Sequence, residues 1–167
     1  MVKKAWSEFE QKIENTNDWY KRNGIGTVEK IPNGTMTKRV NGLPVIVPTN
    51  KTGCDFIGHI RGIPVAFDAK STENKTSFPF GSKKSPMVKE HQKEFLKSFK
   101  NTGGQAYLMI QFNKLNKVVL VDIDVYLSAE VKQLKLGKKS FPLSFFEGME
   151  VPESLYFLDY AKLIIEV

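Results

Sequence analysis

Cysteine and histidine are scarce in this sequence, and their scarcity excludes several kinds of site. Cys54 is the only cysteine, so the chain forms no internal disulfide and no zinc site built from several thiolates. His59 and His91 are the only histidines, which also excludes a histidine-rich metal centre. A transition-metal enzyme is therefore not expected. We interpret Cys54 as a small core residue and both histidines as structural or surface residues.

Long apolar runs are missing as well. No segment approaches the roughly 20 apolar residues that a membrane-spanning helix needs. Acidic residues, beginning with Glu8 and Glu10, come before any apolar stretch near the N-terminus, so no secretory signal is expected. Together with the single thiol, these features predict a cytoplasmic protein that makes no membrane contact.

Positive charge is in excess. The chain carries 25 Lys and Arg against 18 Asp and Glu, and the formal net charge of +7 favours a polyanionic partner. Its 167 residues, 41% of them hydrophobic, suffice to bury one core but not the cores of two ordinary domains. We therefore expect a single domain over residues 1–167.

A stripe of residues at helical spacing predicts that the chain begins with an amphipathic helix. The members of the stripe are Trp6, Phe9, Ile13, Thr16 and Tyr20. Asn23-Gly24 supplies a signal of the kind that ends helices. Glu10 lies at the border of the stripe, where an ordinary boundary glutamate and a functional residue are both consistent with the pattern.

A first hairpin is predicted at Asn41-Gly42, which joins two β-favouring runs. Its first arm carries Lys38 and Arg39, and Pro44 in its second arm suits an edge strand better than a central one. Residues 36–48 are therefore expected to form a ribbon that projects from the body of the protein.

A second hairpin, turning at Arg61-Gly62, brings three charged residues together. Asp68 and Lys70 share one face of its return strand because side chains alternate along a strand, and Asp55 begins the partner strand. Two carboxylates can hold Mg²⁺, and a lysine beside them can orient an attacking water and offset transition-state charge. This spacing is common by chance, so a surface hairpin with solvated charges is the alternative interpretation.

The remaining elements follow from periodicity and turn signals. They are a loop over residues 77–86, a helix over 87–101 with the inner face Val88, Gln92, Phe95 and Phe99, strands over 105–112 and 116–123, a short helix near 125–132, a basic loop over 135–140 and a strand over 163–167. This succession predicts an α/β fold with a mixed central sheet.

An ordered series of residues runs through most of the chain. Its members are Phe9-Glu10, Ile13, Thr16-Asn17, Tyr20, Thr52, Asp55, Gly58, Arg61-Gly62, Phe67-Asp68-Ala69-Lys70, Thr72, Asn74-Lys75-Thr76, Phe78-Pro79, His91-Gln92 and Gly103-Gly104. In this order they resemble the RecU family of Holliday-junction resolvases, which belongs to the PD-(D/E)XK nuclease superfamily. The resemblance implies a restriction-endonuclease-like fold, with a mixed central β-sheet flanked by helices and a projecting β-hairpin stalk.

The resemblance also implies a role for individual residues. The implied metal ligands are Glu10, Asp55 and Asp68, and the implied ion is Mg²⁺, with Mn²⁺ as an alternative. The implied catalytic residues are Asp55, Asp68, Lys70 and Gln92. Asp68 stands where the family usually has glutamate, one methylene longer, which would shift the metal slightly.

Residues in four places are predicted to contact DNA. They are Lys38 and Arg39 in the ribbon, Thr52 before the second hairpin, Lys83 and Lys84 in the loop, and Lys89, Lys93 and Lys97 on the second helix. The helix lysines, with Lys100, are equally typical of a solvated face. The loop lysines are equally consistent with a flexible basic segment. The ribbon is shorter than the usual RecU stalk, which affects junction selectivity more than nuclease chemistry.

The predicted function is a Mg²⁺-dependent, structure-selective DNA endonuclease that resolves four-way (Holliday) junctions by symmetric phosphodiester hydrolysis. Symmetric cleavage needs two active sites, so a homodimer bound to branched DNA is expected. Two alternatives stay open. One is a related nuclease on other branched or duplex DNA, and the other is a non-catalytic DNA-binding module whose carboxylates are structural or relics.

Overall fold

A five-stranded sheet forms the centre of the computed structural model, which describes residues 2–48 and 51–164. In spatial order its strands are β1 (Gly26–Lys30), β4 (Phe56–Ile60), β5 (Ile63–Thr72), β7 (Gln105–Phe112) and β8 (Lys117–Asp122). β5 and β7 are parallel, and the other neighbouring strands are antiparallel. The predicted mixed central sheet is therefore confirmed.

Two smaller sheets and several helices complete the fold. The two-stranded sheets are β2 (Thr35–Val40) with β3 (Leu43–Pro48), and β6 (Ser77–Pro79) with β9 (Ser140–Pro142). The α-helices are α1 (Val2–Arg22), α2 (Glu90–Asn101) and α3 (Ile123–Lys135). Short 3₁₀ helices occupy Asn113–Leu115, Leu143–Phe146 and Tyr160–Leu163. No helix in the described part of the chain is long and apolar enough to cross a membrane.

The two faces of the central sheet bury separate cores. On one face α1 and the C-terminal 3₁₀ helix pack on the sheet, burying among others Phe9, Ile13, Tyr20, Phe67 and Tyr160. On the other face α2, α3 and the β6–β9 sheet bury among others Ala66, Phe78, Leu96, Tyr126 and Phe141. Alternate residues of β5 thus enter opposite cores, as the strand periodicity predicts.

Both predicted hairpins form at the predicted turns. Asn41 and Gly42 have φ 51° and 78°, and Arg61 and Gly62 have φ 49° and 77°. Two successive left-handed residues are typical of the tight hairpin turn that matches strand twist. β2 and β3 pair only with each other and are exposed except for half-buried Val47, so they form the projecting stalk.

The prediction of a loop over residues 77–86 is wrong at its start. Residues 77–79 form β6 and pair with residues 140–142, which also shortens the predicted basic loop. Phe78 and Phe80 are buried here, and packing of two phenylalanines in the core outweighs the turn signals of the neighbouring prolines and glycine.

Three other boundaries differ from prediction. α2 begins at Glu90 because Lys89 is its N-cap, and Leu96 joins Gln92 on its buried face. α3 runs longer than predicted. The predicted strand over 163–167 does not form at 163–164, which end a 3₁₀ helix, and residues 165–167 lie outside the described residues.

Candidate active site

The second hairpin places two carboxylates side by side at the point where β4 begins. Asp68 lies within β5 and is fully buried. Asp55 precedes β4, and its backbone N–H donates to Phe67 O at 3.2 Å. Its Oδ2 accepts a hydrogen bond of 2.8 Å from the backbone N–H of Ala69. The backbone of β5 therefore fixes the orientation of both carboxylates.

Gln92 connects α2 to this hairpin. Its Nε2 donates to Asp68 Oδ1 at 2.9 Å in a buried hydrogen bond. Its Oε1 accepts from Lys70 Nζ at 3.1 Å and from the backbone N–H of Lys89 at 3.0 Å. One amide thus orients the carboxylate, the lysine and the first turn of the helix. The predicted inward position of Gln92 is confirmed.

The second oxygen of Asp68 lacks a hydrogen bond. Lys70 Nζ lies 2.8 Å from Asp68 Oδ2, so the two groups form an ion pair. Oδ2 is buried, and no donor among the described residues forms a hydrogen bond of good geometry with it. A buried carboxylate oxygen is unfavourable unless a cation or a proton lies beside it, and in this structure the Lys70 ammonium is that cation.

Burial makes ionisation of Asp68 unfavourable. Removal from water raises the pKa of Asp68 well above its usual range, the charge of Lys70 opposes this, and the nearby charge of Asp55 adds to it. Two close carboxylates cannot both be charged at low free energy without a cation between them. Burial likewise raises the pKa of the Cys54 thiol to about 12, which agrees with its interpretation as a core residue.

Glu10, the third predicted ligand, is engaged elsewhere. Its Oε1 pairs with Lys30 Nζ at 3.1 Å, and the same ammonium lies 3.7 Å from Glu14. Partial burial opposes the charge of Lys30, but Glu10, Glu14 and the field of Asp55 raise its pKa. Among the residues described, no three His, Cys, Asp or Glu side chains converge as a metal site. The structure thus brings Asp55 and Asp68 together, whereas Glu10 forms an ion pair with Lys30.

Sequence reasoning missed Lys30. It is the last residue of β1 and is paired with Phe56, next to Asp55. The pairing of β1 with β4 creates this position, and no local pattern in the sequence shows that pairing. The only available signal was a lysine at the end of a short strand, which is too common to be informative.

An open cleft of about 980 Å³ leads to the site from the surface. Asp55, Gln92, Thr52, Lys89 and His91 are among its lining residues. It lies between the base of the stalk and the first turn of α2. Thr52 and Lys89, two of the predicted DNA contacts, therefore line this cleft together with His91.

The donor set at the base of the cleft fits a hard divalent cation. Asp55 and Asp68 supply carboxylate oxygens, and the one cation beside Asp68 Oδ2 in the described structure is the Lys70 ammonium, 2.8 Å away. Mg²⁺ is commonly held by one or two carboxylates and keeps several waters, so a third protein ligand is not required.

Three lysines of the stripe on α2, Lys93, Lys97 and Lys100, form ion pairs with carboxylates of the same protein. Lys93 Nζ lies 2.8 Å from both carboxylate oxygens of Glu130. Lys97 pairs with Asp124, and Lys100 pairs with Asp122. These bonds tie α2 to α3 and its N-cap, so Lys93 and Lys97 are less available to phosphates than the sequence suggests.

The other predicted DNA contacts, apart from the half-buried Thr52, are exposed. Lys38 and Arg39 point to opposite faces of the stalk because they are consecutive residues of β2 and side chains alternate along a strand. The loop carrying Lys83 and Lys84 and the helix cap Lys89 are likewise exposed. Their contact with DNA stays a prediction.

A mixed sheet covered by helices, with Asp55 in an open cleft and the buried pair of Asp68 and Lys70 beside it, forms a nuclease-like α/β fold. The family follows from the whole chain. The family described as Recombination protein U, or RecU, matches residues 6–166. This chain belongs to the RecU family.

Similar proteins carry the name Holliday junction resolvase RecU. The one from Pediococcus pentosaceus is 30% identical over 165 residues, which cover 94% of this chain and 77% of that protein. The one from a Geobacillus species is 30% identical over 141 residues, covering 80% of this chain and 68% of its own. The one from Staphylococcus aureus is 31% identical over 120 residues, covering 68% and 55%.

Proposed function

We propose that this protein is a Mg²⁺-dependent endodeoxyribonuclease that resolves four-way (Holliday) junctions by phosphodiester hydrolysis. The names of its relatives support this substrate, and the family membership supports a divalent metal requirement. The observation that carries the proposal is the buried Asp68, bound to Gln92 and Lys70 beside Asp55. A folded protein keeps a destabilising buried carboxylate of this kind most readily where it has a function.

Asp55 and Asp68 are the residues that would hold the metal. When bound, such an ion lowers the pKa of coordinated water and polarises a phosphate oxygen. Glu10 would join them only after exchanging its ion pair with Lys30. The fixed hydrogen bond from Ala69 to Asp55 means that the carboxylate need not reorganise before binding.

Lys70 and Gln92 would act on the substrate side of the carboxylates. Lys70 is held between Asp68 and Gln92, so its ammonium keeps a fixed position close to the reacting phosphate. There it would orient the attacking water and stabilise the negative charge that develops on the phosphate. Gln92 would keep Lys70 and Asp68 in this arrangement, because its amide bonds to both.

A homodimer fits the same proposal. A four-way junction has two-fold symmetry, and resolution requires one cut in each of two opposite strands. Each subunit would supply one cleft, and residues 1–167 would form one nuclease domain with its stalk. Action on recombining DNA would place the protein in the cytoplasm, where the buried thiol of Cys54 would remain reduced.

A non-catalytic DNA-binding module is the second candidate. The observation that favours it is the ion pair of Glu10 with Lys30, which keeps the third predicted ligand away from the carboxylate pair. The nuclease cleaves DNA and the non-catalytic module does not, whereas both bind DNA. A nuclease acting on other branched or duplex DNA is distinguished from a resolvase by its substrate preference.

One cleavage assay separates these functions. The purified protein is incubated with a synthetic four-way junction or a linear duplex of matched arm sequence, with Mg²⁺, Mn²⁺ or EDTA. We expect symmetric nicks in the junction with either metal, little cleavage of the duplex and none in EDTA. Asp55→Asn, purified in parallel, reports any contaminating nuclease. Junction binding without metal-dependent cleavage would instead support the non-catalytic module.

A further inference from the structure

Two lysine-rich loops lie next to each other beside the β6–β9 sheet. β6 ends at Pro79 and β9 begins at Ser140, and these two residues are cross-strand partners. The backbone N–H of Phe80 then donates to Lys139 O at 2.9 Å. Because the two strands are antiparallel, the loop after β6 and the loop before β9 leave the sheet at the same end.

The loop after β6 is closed by its own backbone. The Ser82 N–H donates to Ser85 O at 3.2 Å, and the Ser85 N–H donates to Ser82 O at 3.1 Å. Gly81 begins this turn with φ +80°, and a Cβ there would lie 2.4 Å from Ser85 O. The turn therefore has a defined conformation that presents Lys83 and Lys84 to solvent.

The loop before β9 adds three exposed lysines. α3 ends at Lys135, and Gly137, with φ +73°, reverses the chain. The Lys138 N–H donates to Gln133 O at 2.9 Å and so closes the end of the helix. Lys139 follows directly, with its side chain exposed. We call the set Lys83, Lys84, Lys135, Lys138 and Lys139 the lysine surface.

The positive charge of the lysine surface is not balanced locally. Within the two described stretches of chain, none of its five ammonium groups forms an ion pair with a carboxylate. On α2, in contrast, Lys93, Lys97 and Lys100 all have carboxylate partners on α3 or at its N-cap. The loop lysines are therefore open to an external anion, whereas Lys93, Lys97 and Lys100 on the helix are already paired.

The lysine surface adjoins the active-site cleft. The Met87 N–H donates to Phe80 O at 2.9 Å, so the segment after the turn returns to the β6–β9 sheet. Two residues further on, Lys89 lines the cleft. The segment 80–89 thus has the lysine surface at one end and the cleft at the other.

We propose that the lysine surface binds the phosphates of a duplex DNA arm as that arm leaves the active-site cleft. This inference rests on the proposed function, since it takes DNA to be the substrate. Duplex DNA carries one negative charge per roughly 1.7 Å of its axis, so several phosphates fit within reach of the two loops. Such contacts carry no sequence or branch information, and they strengthen junction and linear duplex binding alike.

The test is the salt dependence of DNA binding in EDTA, where no cleavage occurs. The double variant Lys138→Ala with Lys139→Ala is titrated against a fluorescent linear duplex at several salt concentrations. Loss of two phosphate contacts should reduce the slope of log affinity against log salt by about 2, and lower affinity near 0.1 M salt by about tenfold or more. Lys83→Ala with Lys84→Ala should give a similar reduction, because both loops contact the same arm.

Matched variants separate local contact from overall charge. Lys21→Ala with Lys162→Ala removes the same charge from the opposite face of the central sheet, and its slope should stay that of the unmodified protein. Lys138→Arg with Lys139→Arg keeps the charge and should keep the affinity. Circular dichroism confirms that each variant is folded. A slope for the Lys138/Lys139 alanine variant equal to that of the Lys21/Lys162 control would overturn the proposal.

The readout is independent of catalysis. If the loop variants reduce the slope of log affinity against log salt but the protein never cleaves a junction, the DNA-binding surface is supported and the proposed nuclease function is contradicted. If the protein cleaves junctions but its loop variants bind DNA unchanged, the nuclease function is supported and the DNA-binding surface is contradicted.

Discussion

The two tight hairpins have the same turn geometry and opposite surroundings. In the stalk the turn is Asn41-Gly42, and in the active-site hairpin it is Arg61-Gly62, with φ values that agree within a few degrees. The strands on either side of the second turn lie between β1 and β7, whereas the stalk strands pair with no further strand among the residues that the structure describes. Turn chemistry therefore makes a hairpin in both places, and sheet neighbours decide which one is buried.

This difference explains why the two hairpins suit different tasks. Burial on both sides of β5 gives Asp68 fixed partners and a strongly perturbed pKa. An isolated two-stranded ribbon has neither, and it is at best marginally stable in water. The stalk exposes Met36, Val40, Leu43 and Val45 as well as charged residues. The active-site hairpin can hold catalytic groups in place, and the stalk can offer shape and charge to a partner.

The largest effect is expected from Asp68→Asn. Asparagine keeps an oxygen for Gln92 but removes the charge that would hold the metal. A bound metal would stabilise the transition state by several kcal/mol, so its loss should lower the cleavage rate about a thousandfold. Junction affinity in EDTA should stay near normal, because phosphate attraction does not depend on this carboxylate.

The control for this variant is Asp18→Asn, which neutralises an exposed carboxylate on α1 and should cleave normally. Single-turnover cleavage and a binding titration are measured for both. Retained cleavage by purified Asp68→Asn would exclude the active-site hairpin as the reaction centre.

A smaller loss of rate is expected from Lys70→Ala. The ammonium contacts Asp68 and Gln92, and we place it beside the phosphate, so its removal should slow turnover about a hundredfold. The loss should persist at saturating Mg²⁺, because the lysine acts on water and phosphate charge. Full recovery of the rate at high Mg²⁺ would show that Lys70 serves metal binding only. Lys21→Ala, at a residue that does not line the cleft, is the charge-matched control.

The sequence predicts the active-site hairpin better than its surroundings, for physical reasons. Alternation along β5 and the turn at Arg61-Gly62 are local, and they suffice to bring Asp55, Asp68 and Lys70 together. The inward position of Gln92 also follows from helical periodicity alone. The family membership, likewise, follows from residues that are readable in order along the chain.

Long-range pairing is what the sequence does not show. The β1–β4 pairing puts Lys30 beside Asp55, and the pairing of 77–79 with 140–142 brings two lysine loops together. The packing of α2 on α3 gives the lysine stripe its carboxylate partners. Each of these contacts joins segments distant in sequence, so no local pattern specifies it.

Excision of the stalk should have a moderate effect on selectivity. Thr35 and Pro48 are cross-strand partners, so Asn-Gly in place of residues 36–47 closes the chain with a tight turn. The protein should stay folded, because neither core includes stalk residues. We expect junction affinity to fall about tenfold more than duplex affinity, since only a junction offers an open centre for the ribbon.

Binding titrations at one salt concentration, junction against duplex, measure this ratio. The matched variant Lys38→Ala with Arg39→Ala keeps the ribbon and removes its charge, and it should weaken binding to both DNA forms alike. An unchanged affinity ratio after excision would mean that junction selectivity lies outside the stalk.

The smallest expected effect is on the stability of the metal-free protein. Burial raises the pKa of Asp68 in the folded state above its value in the unfolded chain, so the folded protein binds this proton more tightly. The resulting stabilisation is complete below the unfolded pKa of about 4 and is lost as the pH rises through the raised pKa. In EDTA, Asp68 should therefore contribute more to stability at pH 5 than at pH 8.5.

Asp68→Asn removes this titration from the buried hairpin and leaves the exposed stalk as it was. In thermal melts with EDTA, the variant should melt a few degrees above the unmodified protein at pH 8.5, the size of shift that about 1 kcal/mol causes in a chain of this length. At pH 5 the two should melt close together. Asp18→Asn should show no such pH dependence, because that carboxylate is exposed. If Asp68→Asn changed the melting temperature equally at both pH values, the pKa of Asp68 would not be raised in the folded protein, and burial of its charged form would not destabilise the active-site hairpin.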